Sequence, residues 1–85
     1  MITLAMIAAL EMPPKQYDHP PRTSFEVVEI APNLIRAACR GAARELVLLG
    51  CWDGLRIFIR TDLTPKARAK VLRHEYGHVN GWVHG

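Results

Sequence analysis

Three of the four histidines in this 85-residue chain fall within its last twelve residues, His74-Glu75-Tyr76-Gly77-His78-Val79-Asn80-Gly81-Trp82-Val83-His84-Gly85. No other feature restricts the possible folds as much. His74 and His78 stand four apart, the interval at which side chains share one face of an α-helix. Glu75 lies beside that face. A straight helix would carry His84 away from the pair, but Gly81 is the residue type that enters the left-handed conformation with which helices commonly end. The spacing therefore predicts a helix stopped at Gly81, with His84 turned back toward His74 and His78. Thr64 and Pro65 have the types that cap and open such a helix. Val71, Leu72, Tyr76 and Val79 are expected to form its inward surface.

Three imidazoles and one nearby carboxylate are a donor set for zinc. Three protein ligands with a fourth position left for water is the catalytic arrangement of that ion, whereas structural zinc is usually closed by four. His74, His78 and His84 are the expected metal ligands and Glu75 the expected catalytic residue, a general base that takes a proton without itself binding the metal.

On these residues the chain resembles known families. His74, Glu75, His78, Gly81 and His84 match H-E-x-x-H-x-x-G-x-x-H, the long zinc motif of the metzincin metallopeptidases. His78-Val79-Asn80-Gly81-Trp82 and Tyr17-Asp18-His19-Pro20-Pro21 are similar to segments paired in a group of small bacterial and phage zinc metallopeptidase-like proteins. That second likeness spans residues 17–84. Together the resemblances imply a Zn2+ cofactor, a peptide or protein substrate, and a minimal zincin-like domain of α+β class. In such a domain a small sheet is backed by helices, and an edge strand holds the substrate extended. The strand expected over residues 55–60 is the candidate for that role.

The rest of the chain is consistent with this class. Phe25, Val27, Val28 and Ile30 are β-formers and predict a strand over residues 24–30. Asn33 is the expected cap of a helix in which Leu34, Ala38, Ala42, Leu46 and Leu49 keep helical spacing, with Arg36, Arg40 and Arg44 as its polar stripe. Asp53-Gly54 marks a turn before the strand at 55–60. The order is strand, helix, strand, helix, in which the two strands can lie parallel through a crossover.

Two sequence units are expected: residues 1–21 as an apolar and proline-rich N-terminal arm, and residues 22–85 as the zinc-binding domain. The apolar run Ile2–Leu10 reads either as a signal segment, which would make the protein exported or periplasmic, or as an arm that packs on this domain or a partner. In the second case the protein belongs to the cytoplasm or to a phage particle. The run is too short to span a bilayer as a helix. Cys39 and Cys51 are either one disulfide or two buried thiols.

Net charge is +3, with Lys66, Arg68, Lys70 and Arg73 clustered ahead of the histidines. These residues are not interleaved with aromatics, so a solvated helix face is expected rather than a nucleic-acid interface. His19 is expected to be a loop residue, and Trp82 to pack over the site or the helix end. Gly77 implies either a close backbone approach or a need for room. Two functions fit. One is a small zinc peptidase. The other is a zinc-stapled, non-catalytic module, such as a phage-particle or envelope component, that attaches through the arm.

Overall fold

The computed structural model describes residues 10–39 and 48–83. Its centre is a strand in which buried positions alternate with less buried ones. Ile57 and Ile59 point to one face and are fully buried, while Phe58 between them faces the other way. The strand runs Arg56–Arg60 and is β3. On one side it pairs in parallel with β1, Glu26–Ile30, in a register that sets Val28 beside Phe58. On the other it pairs antiparallel with β2, Gly50–Trp52, which sets Cys51 beside Phe58. The result is a three-stranded mixed sheet of order β1-β3-β2. Among the described residues two α-helices, α1 (Ile35–Ala38) and α2 (Pro65–Val79), join it in a small α+β domain.

The Asp53-Gly54 turn is a tight hairpin. The Asp53 carboxylate accepts from the Leu55 and Arg56 amides at 2.8 and 2.7 Å, which holds its carboxyl below the usual range. Gly54 takes φ +100, open to glycine at no steric cost. α2 begins as expected: Thr64 is the cap, its hydroxyl accepting from the Ala67 amide at 3.2 Å, and Pro65 follows at the first turn.

Three expectations are corrected. Asn33 does not cap a helix. Pro32, whose ring presets φ and removes an N–H, starts a 3-10 turn over Pro32–Leu34 that continues into α1. α1 ends at Ala38, with the Cys39 amide bonded back to the Ile35 carbonyl. Ala42 and Leu46 lie outside the described residues, but Leu49 is not helical. Its carbonyl accepts from the Arg60 amide at 3.1 Å, so the chain there already runs alongside β3. Finally, β3 is the middle strand. Its backbone is paired on both sides, which removes residues 55–60 as a place for a substrate strand to add.

Leu49, Ile59, Ala67 and Val71 form the core between sheet and α2, with Leu10, Leu63 and Leu72 packed around it. α2 lies close on β2: a Cβ added to Gly50 would sit 3.1 Å from a Val71 methyl and 2.8 Å from the Phe58 carbonyl oxygen. The Cys39–Cys51 disulfide ties the end of α1 to β2. No helix among the described residues is long and apolar enough to cross a membrane.

Candidate functional site

α2 changes character along its buried face. Its first half buries Ala67 and Val71; its second half buries His74, Glu75 and Gly77. Leu72, Tyr76 and Val79, expected inward, are only half-buried. A histidine and a carboxylate thus occupy the positions where an ordinary amphipathic helix would carry leucines.

The helix ends as its glycine predicts. Gly81 adopts φ +105, its amide bonds to the His78 carbonyl at 3.0 Å, and the Trp82 amide bonds to the Gly77 carbonyl at 2.9 Å. This is a Schellman termination, which satisfies carbonyls that the helix leaves open. It also turns the chain back on itself. Trp82 becomes buried and stacks on His78 with ring centroids 4.7 Å apart and planes 6° from parallel. The same indole meets His74 edge-on at 4.9 Å.

Each imidazole is held from behind by a backbone carbonyl. His78 Nδ1–H donates to the Trp82 carbonyl at 2.7 Å, and His74 Nδ1–H donates to the Glu11 carbonyl. A carbonyl oxygen only accepts, so Nδ1 carries a proton in both rings. The two Nε2 atoms lie 3.1 Å apart. Two lone pairs at that distance repel unless a proton or a cation lies between them. Two nitrogens on one zinc ion, each about 2.0–2.1 Å from it at a tetrahedral angle, would be roughly 3.3 Å apart. The pair fits that chemistry.

Glu75, next on the helix, is 5% exposed. Burial pushes its carboxyl up to about 7. Among the described residues no hydrogen bond or ion pair offsets that desolvation.

The N-terminal segment crosses the outside of this helix end. The Pro13 ring lies where a side chain on Gly77 would be: an added Cβ would come within 2.7 Å of it and 2.9 Å of Trp82. This settles why a glycine interrupts the helix there, since two rings close over it. Asp18 makes a two-point ion pair with Arg73, with Arg73 Nε 2.9 Å from Asp18 Oδ1. The hydrogen bonds from Arg73 hold the Asp18 carboxyl below its usual range. The Asn80 side-chain amide donates to the Tyr17 and His19 carbonyls at 2.9 and 2.8 Å. Tyr17-Asp18-His19 is thus a docking segment, and His19 is exposed. In the basic cluster, Arg73 is taken up by Asp18 and Arg68 lies 3.8 Å from Glu29. Lys66 and Lys70 are exposed.

The expected residues are therefore partly assembled. His74 and His78 meet, Glu75 is buried beside them in sequence, and His84 lies outside the described residues. Sequence reasoning missed the two carbonyls behind the imidazoles and the Pro13 contact. Gly77 alone signalled the last of these. Among the described residues, no group of three or more His, Cys, Asp or Glu side chains is placed to hold a metal ion. Compared with protein-family models, curated proteins and solved structures, the chain matches none. The resemblance to metzincins and to the small phage and bacterial metallopeptidase-like group is accordingly withdrawn. The spacing of a few residues carried it, and neither a three-group centre among the described residues nor a family match supports it.

Proposed function

We propose that this protein is a zinc-dependent hydrolase that cleaves peptide bonds, with the His74–His78 pair as the core of its metal site. The observation that carries this reading is the pair's geometry: two Nε2 atoms 3.1 Å apart, each ring locked through Nδ1 by a backbone carbonyl. A hydrogen-bonded Nδ1–H of this kind fixes the tautomer and orientation of zinc-binding histidines. By sequence spacing alone His84, which lies outside the described residues, is the candidate third ligand. Zinc, when bound, supplies Lewis acidity toward a carbonyl oxygen and toward water. Glu75 takes a proton from the attacking water and delivers it to the leaving amine nitrogen. Trp82, stacked over His78, shields that side of the pair from solvent.

A second reading, a zinc-stapled binding module without catalysis, draws support from the burial of the same residues. His74 is 7% exposed and Trp82 8% exposed, which restricts access to the pair. One set of measurements separates the two. Elemental mass spectrometry of protein purified without added metal should give close to one zinc per chain. Wild-type protein should then cleave an unstructured protein substrate, and Glu75→Gln should keep the zinc and lose turnover. Zinc bound without any cleavage by the wild type would favour the module. Failure to take up zinc even when it is supplied would end both readings.

A further inference from the structure

Residues 11–19 form a strap over the C-terminal half of α2, and its contacts fall along one side of that helix. Asp18 pairs with Arg73, the Glu11 carbonyl accepts from His74, the Pro13 ring covers Gly77, and the Tyr17 and His19 carbonyls accept from Asn80. Positions 73, 74, 77 and 80 are spaced by one, three and three, so they line one face of the helix over two turns. A segment with four attachments along a single face docks as a unit.

One of those attachments reaches the candidate metal site. The Glu11 carbonyl is the acceptor behind His74, and it fixes the ring's orientation and holds a proton on Nδ1. A histidine with no such acceptor places its proton on either nitrogen, and the Nε2–H form presents no lone pair to a metal. We infer that the strap is a positioning element for the His74–His78 pair, so that strap docking and metal binding strengthen each other. The inference rests on the zinc reading above and adds to it a control point remote from the ligands. Coupling of this kind is reciprocal: what the strap adds to metal affinity, the metal adds to strap docking.

The Asp18–Arg73 ion pair is the attachment best suited to a test. It is exposed and contacts neither imidazole, so cutting it loosens the strap without touching a ligand. Zinc affinity should be measured by competition with a chelator for wild type, Asp18→Ala and Asn80→Ala. Asp62→Ala, which cuts an ion pair with Arg60 on the sheet, serves as the control. Loss of an outer hydrogen-bond partner commonly weakens metal binding by about 10–100-fold. Asp18 and Asn80 act on His74 only through the strap, so that range is a ceiling: both strap variants should weaken zinc binding by about several-fold, and the control should match the wild type.

A second readout distinguishes positioning from loss of stability. In the metal-free protein, nitrogen NMR of the imidazoles should show His74 as the Nδ1–H form in wild type and as a mixture of forms in Asp18→Ala. Addition of zinc to the wild type should slow amide exchange across residues 11–19. Wild type that binds zinc, with strap variants unchanged in affinity and tautomer, would overturn the coupling and leave the zinc reading standing. Wild type that binds no zinc would remove the zinc reading and the coupling with it.

Discussion

Gly77 and Glu75 show how much a single helical position can depend on its surroundings. In an isolated helix, alanine would be better than glycine at 77 by about 1 kcal/mol. In this fold the added methyl would meet the Pro13 ring at 2.6 Å and the Trp82 indole at 2.9 Å. Overpacking of that kind costs about 1–3 kcal/mol, so Gly77→Ala should leave the protein less stable in urea unfolding despite its better propensity. Glu75 makes the opposite kind of prediction. Its carboxyl ionises near 4.5 in the unfolded chain and at about 7 when buried. The folded state therefore holds its proton more tightly, and the contribution to stability is fully present below pH 4.5 and lost as pH rises to 7. Metal-free wild type should lose about 3 kcal/mol across that interval. Glu75→Gln should flatten the profile and be the more stable of the two at pH 8, as urea unfolding at several pH values would show. The burial of Glu75 was not legible from its type, since a glutamate on a helix is ordinarily solvated.

The elements divide according to how local their causes are. α2 was readable at both ends because its signals are local: Thr64 caps through its own hydroxyl, and Gly81 closes through a positive φ that only its own lack of a side chain permits. Thr64→Ala should cost about 1 kcal/mol, read as a shift in urea midpoint with no change in slope. The second strand was less legible. Asp53-Gly54 signals a hairpin, and a hairpin needs a partner before the turn as well as after it. Gly50-Cys51-Trp52 is that partner, yet its short length and the helical spacing that ends at Leu49 point the other way. Pairing with β3 outweighs that spacing, because the backbone groups of Leu49 and its neighbours find partners on β3.

At the scale of the molecule, the domain is small enough that cross-links matter. A chain of this size buries only about 60% of the surface it exposes when unfolded, so a disulfide or a metal contributes a large share of its stability. Cys39–Cys51 closes a short loop, twelve positions from end to end. Replacing both cysteines by serine should cost about 3 kcal/mol by loop-closure entropy, measured by chemical denaturation beside the wild type with and without reductant. The two cysteines alone left both thiols and disulfide open, with the disulfide favoured. Only their placement, at the end of α1 and on β2, with Cα atoms 5.8 Å apart, decides between them.

What the sequence by itself determined is whatever depends on neighbours along the chain. The start and stop of α2, the Asp53-Gly54 turn, the alternation of β3 and the i, i+4 convergence of His74 and His78 all have their causes within a few residues. Tertiary structure alone decided which strand is central, and so removed residues 55–60 as a substrate edge. It also decided that Gly77 makes room for Pro13, and that the His74 imidazole is oriented by the carbonyl of Glu11. The physical reason is the same in each case. Backbone carbonyls and strand edges are alike in every residue, so no letter of the sequence marks the ones that distant parts of the chain will meet.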